Sequence, residues 1–139
     1  MMKYVVAYLA AATTLFAIDL LWLGVIAKSF YRAQIGSLML DQINIVAAIL
    51  FYAVYVVCVV IFAVALALHT GSWRTAIVLG TLFGFFAYAT YDMTNLATLR
   101  GWPIAMVVVD IAWGTCLTAI SATAGFLVAQ RLFPPSGAS

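Results

Sequence analysis

Of the 139 residues, 68% are hydrophobic and 7% are charged, and the mean hydropathy is +1.19. This balance lies far outside that of a soluble globular domain. The formal charge of +2 is the balance of six Lys and Arg against four Asp, and the basic residues are scattered without a basic run or basic and aromatic interleaving, which speaks against nucleic acid as a partner.

A helix needs about 20 apolar residues to cross a hydrocarbon core of roughly 30 Å. The length therefore suits an all-α integral membrane protein, a four-transmembrane-helix bundle with short loops and an amphipathic first loop. The chain opens on Met1, Met2 and Lys3, followed by an apolar run over 4–26. A secretory signal also begins with a positive charge and an apolar region, but this run is about twice the usual length of a signal's apolar core, so a retained first span is expected. Asp19 interrupts it, with Trp22 three residues on and Gly24 beyond, which places carboxylate and indole on one helical face. Over 28–44 Lys28, Arg32, Gln34, Asp41 and Gln42 mix with Phe30, Tyr31, Leu38 and Met39. Such an amphipathic segment suits the headgroup layer, where basic and aromatic side chains sit together. The second span, 45–68, is continuous apolar sequence whose only hydroxyls belong to Tyr52 and Tyr55, and it reads as a scaffold helix. His69, Gly71, Ser72 and Trp73 then make a tight connection at the membrane surface.

The third span, 75–99, holds Gly80 and Gly84 at the Gly-x-x-x-Gly spacing that lets another helix approach closely, and so offers a surface for a homo-oligomer. Its second half carries Tyr88, Asp92 and Asn95 on one face, with Tyr91 at the edge. Pro103 suits the first position of a helix, where its missing N–H would have gone unpaired, and opens the fourth span, 103–128. There Asp110 and Trp113 repeat the Asp-x-x-Trp spacing, followed by Gly114, Thr118, Ser121 and Gly125 as small packing positions. One membrane domain over 1–132 is expected, with a flexible C-terminal tail over 133–139 that includes Pro134, Pro135, Ser136 and Gly137. Cys58 and Cys116 lie within apolar runs and read as small hydrophobes.

An ionisable side chain at membrane depth costs about 2.5 to 3.5 kcal/mol on insertion scales, so a chain that keeps one usually pairs it or uses it. Spans one and three cross in one direction and span four returns. At 1.5 Å per residue, Asp19, Asp92 and Asp110 then lie roughly 10 to 12 Å beneath the face reached by the first and third loops. They are three of the chain's four acids; Asp41 lies in the first loop, and there is no Glu. Three carboxylates in one layer cannot all ionise cheaply. At least one is expected to hold a proton, beneath a wet, funnel-like mouth into which the stems of Lys28, Arg32 and Arg100 reach. Asp19, Asp92, Asn95 and Asp110 are the candidate ligand- or proton-binding residues, and Trp22, Tyr88, Tyr91 and Trp113 the candidate pocket lining. No His, Cys and Asp spacing suits a metal, and no nucleophile elbow or phosphate-binding Gly-rich turn is present, so no metal or cofactor is expected.

Taken together, Asp19-Leu-Leu-Trp22-Leu-Gly24, Phe30-Tyr31, Tyr91-Asp92-Met93-Thr94-Asn95-Leu96-Ala97-Thr98, Trp102-Pro103 and Asp110-x-x-Trp113-Gly114 resemble the DUF2177 family of small, uncharacterised bacterial membrane proteins. The resemblance covers nearly the whole chain. It implies a bacterial four-span protein and brings no activity, substrate or cofactor with it.

Three functions fit these residues. The first is binding or transport of a proton, a cation or a small amine-bearing molecule at the Asp layer. The second is a membrane enzyme acting on a lipid or isoprenoid, with one carboxylic acid protonating and another carboxylate abstracting. The third is a structural or assembly subunit, its polar layer serving as interhelical glue worth about 0.6 to 2 kcal/mol per contact, with Trp22, Trp113 and Asn95 donating to Asp19, Asp110 and Asp92. Membrane lipids are the expected partners, joined in the first reading by a small-molecule or cation ligand. Orientation is not fixed by charge, because Lys3, Arg74 and Arg131 on the face of the termini balance Lys28, Arg32 and Arg100 on the other. The general habit of small even-span proteins puts both termini in the cytoplasm of a bacterial inner membrane, which opens the Asp layer outward.

Overall fold

The structure is a computed structural model that describes residues 1–134; Pro135, Ser136 and Gly137 of the expected tail lie outside the described residues. In chain order the helices are α1 (Met2–Ile26), α2 (Lys28–Ile35), α3 (Ile45–Thr70), α4 (Trp73–Thr98) and α5 (Ile104–Leu132). All except α2 are long and apolar enough to cross a membrane, and there is no strand among the described residues. The chain is an all-α, multi-pass membrane protein.

Local chemistry sets the helix ends. The Asn44 side chain accepts the Ala47 amide at 3.1 Å to cap α3, and the Ser72 hydroxyl accepts the Thr75 amide at 3.4 Å to cap α4. Between them α3 ends on Gly71, whose φ of +65° is the left-handed conformation that a glycine adopts without Cβ strain. Pro103 stands one place earlier than expected, capping α5 rather than filling its first turn. Both α1 and α3 contain a five-residue π-helical turn, Trp22–Ile26 and Val60–Val64. In the first, the Ala27 N–H reaches back five residues to the Trp22 carbonyl at 2.7 Å, and the chain then turns into α2.

Small residues let the helices close on one another. A Cβ added to Gly84 would stand 2.7 Å from the Gly114 carbonyl oxygen and from Thr118, and one on Gly80 would stand 3.0 Å from Ala119 and Ala122. The Gly80 and Gly84 face, whose spacing suits close approach of another helix or a second copy, is packed against α5 of the same chain. Two long helices joined by a short loop lie side by side, and the close approach that the spacing permits is used within the bundle. On another side of α5, a Cβ on Gly125 would meet the Ala7 carbonyl of α1 at 2.9 Å. Ala7, Ala11 and Leu15 of α1, Val59 and Ala63 of α3, and Leu117 and Phe126 of α5 form the buried centre. Large apolar side chains such as Phe16, Ile49, Phe62, Val78 and Phe86 stay exposed, as lipid contact requires.

The first loop departs from expectation. Its amphipathic helix α2 does not simply lie on the surface: Tyr31 descends into a second buried cluster with Ala27, Trp102, Met106 and Val107, while Lys28 and Arg32 remain exposed.

Candidate functional site

Asp19 of α1 is 5% exposed, and both of its oxygens receive a hydrogen bond. The Tyr52 hydroxyl of α3 donates to Oδ2 at 2.5 Å, and the Trp113 indole N–H of α5 donates to Oδ1 at 3.0 Å. One carboxylate thus ties three helices. The reading of α3 as scaffold is corrected at Tyr52, because a phenol in an apolar span needs a partner for its hydroxyl and this one finds a carboxylate. The Phe16 ring stands edge-on to Tyr52 at 5.4 Å.

Asp110 of α5 accepts the Tyr31 hydroxyl, whose oxygen in turn accepts the Trp22 indole N–H at 3.3 Å. Burial, and then the bond to Asp110, push the Tyr31 phenol above its ordinary range. The Trp22 and Trp113 rings are stacked, with centroids 4.1 Å apart and planes 10° from parallel, so the Asp19 and Asp110 corners touch through them. The repeated Asp-x-x-Trp spacing works crosswise. On antiparallel helices a step of three residues, about 4.5 Å, carries each indole toward the level of the other helix's acid. Trp113 consequently serves Asp19, and Trp22 serves the phenol held by Asp110.

Asp92 of α4 is 0% exposed. The Trp102 indole donates to Oδ1 at 3.3 Å, and Oδ2 has no donor. Beside it lies Asp110, with the two carboxyl groups within hydrogen-bonding reach of each other. Ionised carboxylates only accept. Their contact becomes a hydrogen bond only when one of them carries a proton.

No cation reaches these acids among the described residues. Lys28, Arg32 and Arg100, whose stems were expected to reach down, are exposed, and the donors to the three carboxylates are phenols and indoles. The expected wet funnel is likewise replaced by aromatic cover, since Asp19, Asp92 and Asp110 are each 8% exposed or less. Two cavities, of about 460 and 280 Å³, lie elsewhere: one in the first loop beside Arg32, Ser37 and Asp41, the other against α1 and α3 beside Tyr4, Tyr8 and Val57. The described residues bring together no three His, Cys, Asp or Glu side chains that could hold a metal ion.

Around the acids Tyr88 lies across Gly114, where any Cβ would stand inside its ring, and meets the edge of Tyr55 at 6.2 Å. Tyr55 pairs with the Thr118 hydroxyl at 2.7 Å. Thr118 gives its own proton to the Gly114 carbonyl at 2.6 Å, so Tyr55 is the donor of that pair.

A family described as "Predicted membrane protein (DUF2177)" matches residues 4–127. The chain belongs to this family. No curated protein and no solved structure matches it.

Seen as a DUF2177 member, the chain gathers Asp19, Asp110, Trp22 and Trp113 into one network, sets Asp92 beside it and Tyr88 over it. Asn95 and Tyr91 do not join. Asn95 gives no hydrogen bond to Asp92, whose donor is Trp102, and Tyr91 is 53% exposed and meets the edge of the Trp102 ring at 5.9 Å. Sequence reading missed Tyr31, Tyr52 and Trp102 as partners of the acids. The available signal was the hydroxyl in an otherwise apolar span for Tyr52; Tyr31 was hidden by its amphipathic surroundings, and Trp102 by its place in a loop.

Proposed function

We propose that this DUF2177 protein binds a proton inside the membrane at the Asp92–Asp110 pair, as the binding step of a proton-coupled transporter or sensor. One observation carries the reading: Asp92 is fully buried, its Oδ2 has no donor, and its neighbour is another carboxyl group. Leaving two ionised carboxylates together in a low-dielectric interior without a cation is far more costly than holding one proton between them. That proton gives the orphaned oxygen its hydrogen bond. A proton also needs no cavity, which suits acids enclosed by aromatic rings better than an amine-bearing ligand would.

Asp19 supports a second, structural role within the same layer. Both of its oxygens are satisfied by donors from other helices, which is the arrangement of interhelical glue. The working pair and the structural acid then belong to one network with divided tasks. Both termini are placed in the cytoplasm of a bacterial inner membrane in this reading, with the first loop outside. Labelling of Ser37→Cys by an impermeant thiol reagent in intact cells supports that orientation, and labelling only after lysis reverses it; the complementary position, Ser136, lies outside the described residues.

A hydrophobic carbodiimide, which reacts with protonated carboxyl groups, tests the proton site. Peptide mapping is expected to find the adduct on Asp92 or Asp110, declining as the pH is raised, and none on Asp19. Labelling of Asp19 alone, or of no acid at any pH, contradicts the reading.

A further inference from the structure

We propose that Tyr31 is the gate residue through which a proton passes between the membrane face of the first loop and the Asp92–Asp110 pair, so that the site is served from that face only. This rests on the proton-binding reading above. Two side chains donate to the pair, Trp102 to Asp92 and Tyr31 to Asp110. An indole N–H only donates, so Trp102 cannot pass a proton on. A phenol both donates and accepts, and its oxygen has two lone pairs, of which Trp22 fills one. The other accepts from no group among the described residues, which leaves it for a hydronium ion or water to occupy once α2 moves aside.

The transfer balances without leaving charge on Tyr31. A hydronium ion gives a proton to the phenol oxygen as the phenol gives its own to Asp110; a water, a neutral phenol and a neutral carboxylic acid result, and the reverse sequence releases the proton. The groups around Tyr31 are Asp110 from α5, Asp92 beyond it on α4, Asp19 and Trp22 from α1, and the exposed Lys28 and Arg32 on its own helix.

The opposite direction is closed. Toward the face of the termini lie Leu117, Thr118, Ser121, Ala122 and Phe126, each 1% exposed or less. The two hydroxyls among them are committed to carbonyls of their own helix, Thr118 to Gly114 at 2.6 Å and Ser121 to Leu117 at 2.8 Å. Tyr31, by contrast, is the one buried residue of α2. That helix hangs between the π turn at Trp22–Ile26 and the short 3₁₀ turn Gly36–Leu38, which ends in extended backbone at Met39. Such joints allow α2 to carry the phenol on and off Asp110.

The test places the protein in vesicles, with orientation assigned by labelling Ser37→Cys, and follows the protonated-carboxyl infrared band after a pH jump on one side. In the parent chain the band is expected to track the compartment that faces Ser37 and to ignore the other. Tyr31→Phe keeps the ring among Ala27, Trp102, Met106 and Val107 and removes only the hydroxyl, so the band should follow at least about 100-fold more slowly, the scale of a lost general acid–base group. A band that follows the opposite compartment, or an equally fast response in Tyr31→Phe, overturns the gate while leaving the proton site standing. A parent chain with no titrating carboxyl band overturns both. Should Tyr31→Phe not fold, the sidedness of the parent chain alone decides.

Discussion

Both oxygens of Asp19 receive hydrogen bonds from neighbouring helices, whereas Asp92 receives one, from Trp102, and keeps Oδ2 beside the carboxyl group of Asp110. The two side chains are identical, and each is almost completely buried. What differs is the chemistry brought to them. Tyr52 and Trp113 supply Asp19 with a donor for each oxygen; Asp92 faces an acceptor, which favours a proton in the contact. Burial alone therefore does not mark an intramembrane acid as structural or functional. The balance of donors against acceptors around it does.

The largest expected effect removes the frame that holds both corners. Gly84→Leu drives a branched side chain into the Gly114 carbonyl and Thr118, separates α4 from α5 and should abolish most of the folded protein recovered in detergent. Retention of full thermal stability would mean that α4 and α5 do not pack this closely.

The next two substitutions should act in opposite directions. In Asp19→Asn one acceptor oxygen becomes an NH₂ group, so either Tyr52 or Trp113 loses its partner in a dry site, at about 1 to 3 kcal/mol. In Asp92→Asn the new amide can donate to Asp110 where nothing donated before, so stability in a melting experiment should hold or rise. Equal losses at both positions would erase the distinction between the two corners. Tyr52→Phe sharpens it further. It should cost about 1 kcal/mol through loss of the bond to Asp19, and a null effect would restore α3 to plain scaffold.

The smallest effect is alkaline. Folding pushes the Tyr31 phenol above the value of about 10 that it has in the unfolded chain. The folded state therefore retains a proton that the unfolded state gives up above that pH. Its contribution is fully present below about pH 10 and is lost as the pH rises further, so part of the high-pH decline in stability should vanish in Tyr31→Phe. An identical pH dependence in the two proteins would show that Tyr31 is not held on Asp110.

The four long helices were legible because apolar length is a one-dimensional property of the sequence. Convergence of Asp19 and Asp110 was legible for a related reason: both acids interrupt apolar runs at similar distances from the loops. Partnership was not. The two Asp-x-x-Trp spacings suggested that each indole serves its own helix, and only the antiparallel pairing of α1 with α5 reveals the exchange. Tyr52 was set aside because an aromatic residue in an apolar span satisfies the composition test whether its hydroxyl points to lipid or to a carboxylate. The Gly80 and Gly84 spacing stated that a helix comes close, and could not state which one. Tyr31 escaped because amphipathic periodicity in α2 describes the average face of a helix, while its role depends on a single side chain.

The most direct test of the central claim is infrared spectroscopy of the protein titrated with pH in lipid, reading the carbonyl stretch of protonated carboxylic acids. The parent chain should show one such band that disappears as the pH is raised, and Asp19→Asn should retain it. Asp92→Asn and Asp110→Asn should each lose it, because the proton belongs to the pair. A parent chain without the band, or a band lost only in Asp19→Asn, would contradict proton binding between Asp92 and Asp110.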